Sequence, residues 1–142
     1  MRTAYRVLAY LLAATVAAQA ALIAFGAFAL EDKIDSGPVS DGDTTGVTLH
    51  HIVANAVILC AVVLVCISFR AKIEHGVRWA ATLLALVVLQ FMLAYAAYGT
   101  AVIGALHGLN ALAIFAVSLQ AGRRVSKTAP ADQASARDET KV

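Results

Sequence analysis

Four long stretches without Asp, Glu, Lys or Arg constrain the fold more than any other feature of this sequence. They cover residues 7–30, 47–69, 79–98 and 101–121, and each reaches the length of about 20 residues at which an α-helix crosses a hydrocarbon core roughly 30 Å thick. Because lipid offers no partner to exposed backbone groups, segments that span it must be helical. The sequence therefore predicts an all-α fold, a four-transmembrane-helix up-down-up-down bundle with helices at about 5–30, 47–69, 77–98 and 101–122.

The composition supports a membrane protein of one domain. Of the 142 residues, 61% are hydrophobic and only 14% are charged, which lies outside the balance of soluble domains. The first apolar run follows Arg2 and Arg6 and contains Ala-Gln-Ala at residues 18–20, as a secretory signal peptide would. However, this run continues past that point to Leu30, and it is longer than a typical signal-peptide core. We therefore predict an uncleaved first helix.

The placement of the basic residues predicts the orientation of the bundle. Of the 11 Lys and Arg residues, only Lys33 lies in the first connection, and the third connection has none. All others lie at the N-terminus, in the second connection or after residue 122. The positive-inside rule therefore places both termini in the cytoplasm. The net charge of +2 is a topology signal, and it does not indicate nucleic-acid binding.

The connections and the C-terminal segment complete the predicted organisation. The first connection is acidic and rich in turn-forming residues, whereas the second and third are short. Residues 1–125 form the predicted transmembrane domain, and residues 126–142 form a predicted disordered cytoplasmic tail. Close helix packing is expected through small residues. The candidates are Ala13, Ala17, Ala20, Ala21 and Ala24 in the first helix and the Gly104–Gly108 pair in the fourth.

Three histidines carry the most specific functional signal. His50 and His51 open the second helix, and His107 lies in the fourth helix at a comparable predicted depth, near the outer face. A neutral imidazole can be buried in a membrane and ligate a metal, and ligands on facing helices are the usual way in which four-helix bundles hold cofactors. His50 and His107 are therefore candidate axial ligands of a haem, with room for it left by Gly104 and Gly108. The alternative is that these histidines only form hydrogen bonds between helices.

Other polar and sulfur-containing side chains are weaker candidates. Gln19 and Gln90 can hydrogen-bond an imidazole or each other. Asn55 and Asn110 lie one turn from His51 and His107 and can orient those rings through second-shell hydrogen bonds. Aromatic residues near the outer interface are expected to belong to the aromatic belt of the membrane, although contact with a haem propionate is open; these are Tyr95 and Tyr98. The two cysteines, Cys60 and Cys66, share one helix and are predicted to be free, buried thiols.

The two histidine segments resemble motifs of a known membrane enzyme family. Residues 50–54, His-His-Ile-Val-Ala, are similar to the opening of the second helix in each four-helix half of heme A synthase. Residues 106–112, Leu-His-Gly-Leu-Asn-Ala-Leu, are similar to the fourth-helix motif. The same segments resemble those of small bacterial four-helix membrane proteins. The resemblance covers about residues 1–125 and implies a multi-pass protein of the bacterial plasma (inner) membrane, with His50 and His107 as haem ligands and His51 at a neighbouring basic position.

The departures from that family matter equally. The catalytic half of the enzyme has a glutamate four residues before the second-helix histidine, and here that position is Gly46. The chain also has no cysteine pair in its outer loop and corresponds to a single half. These differences argue against heme A synthase activity. The expected function is bis-histidine haem b binding for electron transfer or haem handling near the outer face. A cofactor-free accessory subunit of a larger membrane complex, a homo-oligomer and a porphyrin- or quinone-modifying enzyme remain alternatives.

Overall fold

The computed structural model describes residues 1–34 and 36–127. These residues form four helices, α1 (Arg2–Ile34), α2 (Thr45–Ala71), α3 (Gly76–Ala96) and α4 (Ala101–Lys127), and no strand occurs among them. All four helices are long and apolar enough to cross a membrane. The prediction of an all-α protein with four candidate membrane-spanning helices is therefore confirmed.

The helix bounds differ from the apolar runs at several ends. Helix α1 continues to Ile34 and takes in Glu31 and Asp32, and α4 continues to Lys127, past the predicted domain boundary at residue 125. Backbone hydrogen bonds need no apolar side chains, so a helix can extend beyond its apolar stretch. Helix α3 ends earlier than predicted, because the chain turns through Gly99, whose φ of +82° is left-handed. The rest of the predicted tail, residues 128–142, lies outside the described residues.

The helices surround a central axis in chain order. Each helix contacts its two neighbours, so that the contacting pairs are α1–α2, α2–α3, α3–α4 and α1–α4. Among the described residues, the diagonal pairs α1–α3 and α2–α4 do not come into backbone contact. The space along the central axis is therefore either filled by side chains or open.

One half of the bundle is filled by side chains, and we call it the packed half. Its buried residues come from the first half of α1 and α3 and from the second half of α2 and α4. The largest fully buried side chains are Tyr5, Leu12, Leu64, Leu83, Val87 and Ile114. A buried hydrogen bond of 3.0 Å from the Tyr5 hydroxyl to the Gly76 carbonyl oxygen joins α1 to the start of α3.

The closest helix contact outside the packed half joins α1 and α2 at two glycines. A Cβ atom on Gly46 would lie 2.7 Å from the Gly26 Cα atom, so only glycine permits this approach. The prediction that Ala17, Ala20, Ala21 and Ala24 pack against other helices is wrong, since all four are exposed and only Ala13 is buried. Even the Cβ of alanine would hold the two backbones apart at such a crossing.

The glycine pair of α4 does not pack within the chain. No described atom outside the helix backbone lies within 4 Å of a Cβ atom placed on Gly104 or Gly108. The predicted packing role of this pair is therefore wrong for contacts inside the chain, and its faces are open.

Candidate functional site

A cavity of about 770 Å³ occupies the end of the bundle beyond the packed half. We call this end the cavity half. All four helices line the cavity, and its wall is mostly apolar. Each helix contributes one buried aliphatic side chain that both belongs to the core and borders the cavity: Val16, Val57, Val87 and Ile114. These four side chains separate the packed half from the cavity.

His50 and His107 approach each other across this cavity. Their ring centroids are 6.4 Å apart, and the ring planes are inclined by 60°. The two residues belong to α2 and α4, which are diagonal in the bundle and make no backbone contact. Both side chains are half-buried and line the cavity. The two histidine rings therefore face each other across the bundle, where the α2 and α4 backbones are separated.

The same backbone contact orients both imidazoles. His50 Nδ1 lies 3.1 Å from the carbonyl oxygen of Gln19 in α1, and His107 Nδ1 lies 3.1 Å from the carbonyl oxygen of Gln90 in α3. A carbonyl oxygen only accepts, so each Nδ1 carries the proton and donates it. The lone pair of each neutral ring is then on Nε2, which is the arrangement typical of a histidine that ligates a metal.

The side chain of Gln90 makes a second contact with His107. Its amide nitrogen lies 3.1 Å from His107 Nε2 and donates to the lone pair there. Its amide oxygen accepts a bond of 2.6 Å from Asn110 Nδ2, which also donates to the Leu86 carbonyl oxygen at 2.9 Å. Asn110 is 8% exposed. Asn110 thus supports the His107 ring through Gln90 and does not bond the ring itself.

The other predicted site residues differ in whether they line the cavity. His51 is exposed, with its ring centroid 5.8 Å from that of His50, and it lines the cavity together with Gly108. Gly104 is exposed and is not among the residues that line the cavity. Tyr95 and Tyr98 lie at its rim and are 75% and 77% exposed. The structure therefore brings His50, His107, His51 and Gly108 together and leaves Gly104 outside.

The remaining polar candidates contact the backbone or no partner. Asn55 donates to the His51 carbonyl oxygen at 3.0 Å and does not orient a ring. Gln19 lines the cavity, but its side-chain Oε1 is buried and has no hydrogen-bond partner in the described residues. Both cysteines are free, as predicted. Cys66 is exposed, so its predicted burial is wrong, because it lies on the outward face of α2.

Sequence reasoning missed two features of the site. It proposed the side chains of Gln19 and Gln90 as partners of the imidazoles, which is right for Gln90 and His107 but not for Gln19. It gave no sign that the backbone carbonyl groups of both residues hold the rings. It also gave no sign of the cavity, since the side chains that line it are ordinary apolar residues in the sequence. Residues 1–34 and 36–127 contain no group of three or more His, Cys, Asp or Glu side chains that could hold a metal ion.

No protein-family model, curated protein or solved structure matches this chain.

Proposed function

We propose that the protein binds haem b between His50 and His107 and serves electron transfer or haem handling near the outer face of a membrane. The observation that carries this proposal is the pair of imidazoles 6.4 Å apart across a cavity. Each has its Nδ1 bonded to a backbone carbonyl oxygen, so that the lone pair of each neutral ring is on Nε2. A bis-histidine haem supplies reversible one-electron chemistry, and the chain supplies its position and surroundings.

The separation of the rings fits two ligands of one metal. A metal–imidazole bond of about 2 Å on each side, with roughly 1 Å from each nitrogen to its ring centre, requires centroids roughly 6 Å apart. The observed 6.4 Å agrees with this requirement. The hydrogen bonds between helices that the alternative predicts are present, from His50 to Gln19 and from His107 to Gln90. The separation of the two rings across the cavity is what supports a shared metal in addition.

The size and chemistry of the cavity also fit a macrocycle. A volume of about 770 Å³ lies in the range of cavities that hold drug-sized ligands, about 300–1,000 Å³. The wall is mostly apolar, as the face of a porphyrin requires. Gly108 borders the cavity and has open space where a Cβ atom would stand. The exposed His51 and Tyr98 at the rim offer polar atoms to propionate groups.

The orientation is part of the proposal. An up-down-up-down path is supported by the alternation of the packed residues, which come from the first half of α1 and α3 and the second half of α2 and α4. The basic residues beside the packed half support a cytoplasmic location for this end and for both termini. The cavity then faces the outer leaflet. A bacterial plasma (inner) membrane is the location that the resemblance to heme A synthase and to small bacterial proteins implies.

The helix crossing at Gly46 supports a binding role over catalysis on the porphyrin. At this position the resembled enzyme family carries a glutamate, and here a Cβ atom would lie 2.7 Å from both the Gly26 Cα atom and the Leu22 carbonyl oxygen. A glutamate does not fit without separating α1 from α2. The α1–α2 contact thus occupies the place where that family has an acidic group.

An absorption spectrum of the detergent-purified protein, expressed with ample haem, tests the proposal. We expect a Soret band that His50→Ala and His107→Ala each abolish or shift strongly. His75→Ala is the matched control, because His75 lies in the exposed α2–α3 connection beside Glu74. Gly108→Leu fills open cavity space and should lower haem content while leaving the helical circular-dichroism signal intact.

Two outcomes would contradict parts of the proposal. A colourless wild-type protein under haem-replete expression would exclude haem binding and favour a cofactor-free accessory subunit. A band that survives His50→Ala but disappears in His51→Ala would make His51 the ligand on α2.

A further inference from the structure

The two histidines of the site differ in whether the protein hydrogen-bonds their Nε2 atoms. His50 is held only through Nδ1, and no described residue hydrogen-bonds its Nε2. His107 Nε2 accepts a hydrogen bond of 3.1 Å from the side-chain amide of Gln90. One lone pair is therefore free to bind a ligand, whereas the other is already satisfied by the protein.

The Gln90 amide is held in this position by its own partner. Asn110, which is almost fully buried, donates a 2.6 Å bond to Gln90 Oε1 and keeps a second bond to the Leu86 carbonyl oxygen. The amide oxygen is thereby assigned to Asn110, and the amide nitrogen to His107. The Asn110–Gln90–His107 chain is a complete hydrogen-bond network, and ligation by His107 must break its last bond.

We propose that Gln90 competes with the haem iron for His107, so that His50 is the permanent ligand and His107 an exchangeable one. This inference rests on the proposed haem function and deepens it. While the Gln90 amide donates to His107 Nε2, a haem held by His50 alone would be able to bind a small neutral ligand of the carbon monoxide class. The site would then hold its haem with either one or two histidines.

The expected size of this competition follows from the bond that is lost. One net hydrogen bond between neutral groups changes a population ratio by about fivefold. The backbone carbonyl of Gln90 holds Nδ1 independently of the side chain, so a substitution that removes only the amide leaves the ring oriented. Gln90 is thus a positioning residue, and its amide is separable from the structural contact.

The chain offers a closely matched control. Gln120 lies in the part of α4 that belongs to the packed half, is exposed and does not line the cavity. In the dithionite-reduced, haem-loaded protein, Gln90→Leu should slow carbon monoxide binding by about fivefold and increase the low-spin, bis-histidine spectrum. Gln120→Leu should leave both unchanged.

The ligand-free protein gives an independent readout. With histidine labelled with nitrogen-15, Gln90→Leu should shift the resonance of His107 Nε2 and leave both nitrogens of His50 unaffected. Asn110→Leu, which releases the Gln90 amide without touching His107, should shift the same resonance by a smaller amount. These spectra detect the hydrogen bond itself, and a role of Gln90 in folding alone would not select one ring nitrogen.

The outcomes separate this inference from the proposed function. Equal carbon monoxide rates in wild type, Gln90→Leu and Gln120→Leu, with a normal Soret band, would overturn the competition and leave haem binding intact. Loss of haem from Gln90→Leu alone would also overturn it, because Gln90 would then build the site instead of competing in it. An unchanged His107 spectrum in folded, ligand-free Gln90→Leu would do the same. A colourless wild-type protein would overturn both proposals.

Discussion

The packed half and the cavity half are built from the same four helices, but side chains fill the axis of the first and leave the axis of the second open. In the packed half, Leu12, Leu64 and Leu83 are fully buried and fill the axis of the bundle. In the cavity half the axis is open, and the backbones approach closely at Gly26 and Gly46. Lipid is as apolar as leucine, so helix association in a membrane depends on packing and hydrogen bonds. The difference indicates that the packed half holds the bundle together and that the cavity half has space for a bound molecule.

The largest expected effect is a cavity created in the packed half. Leu83→Ala removes a side chain with no exposed surface and should lower the free energy of unfolding by about 2–4 kcal/mol. Leu112→Ala is the counterpart in the wall of the cavity, where the side chain is 65% exposed, and should cost under about 1 kcal/mol. Unfolding in mixed detergent, followed by circular dichroism, measures both. Equal losses would show that the two halves contribute alike.

The second expected effect tests the close contact within the cavity half. Gly46→Ala places a Cβ atom 2.5 Å from the Gly26 backbone nitrogen and should cost about 1–3 kcal/mol through helix separation. Gly104→Ala meets nothing within 4 Å and should be neutral, or stabilising by up to about 1 kcal/mol through helix propensity. The same unfolding assay applies. If Gly46→Ala is as mild as Gly104→Ala, the crossing does not hold α1 to α2.

A third, smaller effect concerns the buried hydrogen bond of the packed half. Tyr5→Phe removes the donor to the Gly76 carbonyl oxygen and keeps the ring, so the free energy of unfolding should fall by about 1 kcal/mol. Tyr95→Phe is the control in the cavity half, because this side chain is 75% exposed. No difference between the two variants would mean that the Tyr5 hydroxyl contributes nothing to holding α3.

The smallest effect is a dependence on pH in the first connection, next to the cavity half. Asp43 accepts bonds of 2.7 Å from the Ser40 hydroxyl and 2.8 Å from the Ser40 backbone N–H, and these bonds lower the pKa of its carboxyl below the usual 3.8. Since the pKa is lower in the folded state, the carboxylate stabilises the fold above the unfolded-state pKa. This contribution is lost as the pH falls through the folded-state pKa.

The thermal midpoint between about pH 5 and pH 2 measures this contribution. Wild type should lose slightly more stability on acidification than Asp43→Asn, which has no carboxyl group to titrate. An identical acid response of the two proteins would show that the Asp43 carboxylate does not stabilise the first connection.

Much of the fold could be predicted from the apolar runs, because a membrane-spanning helix needs only length and the absence of charge. The details of packing could not. Alanines 17, 20, 21 and 24 have the small size that helix contacts favour, yet they are exposed, and the close contact falls on Gly26 and Gly46 instead. Small size permits an approach, but the rotation of each helix about its axis decides which small residue meets a neighbour.

The candidate site divides in the same way. The sequence alone selected His50 and His107, since ionisable groups within apolar runs are rare and are a functional hypothesis by default. It could not reveal that Gln19 and Gln90 hold the rings through their backbone carbonyls, because every residue has such a group. Nor could it reveal that the protein hydrogen-bonds Nε2 of His107 but not Nε2 of His50, a difference that depends on the contact of Gln90 with Asn110.

The sequence by itself determined that the chain forms four apolar helices of membrane-spanning length and that histidines lie within two of them, because both properties are local and follow from residue type and order. The tertiary structure decided which half of the bundle is filled, where glycines allow two backbones to meet, and that the His50 and His107 rings lie 6.4 Å apart across a cavity. These properties depend on the rotation and separation of helices distant in the chain. Side-chain volumes summed over all four helices decide them, and no single segment does.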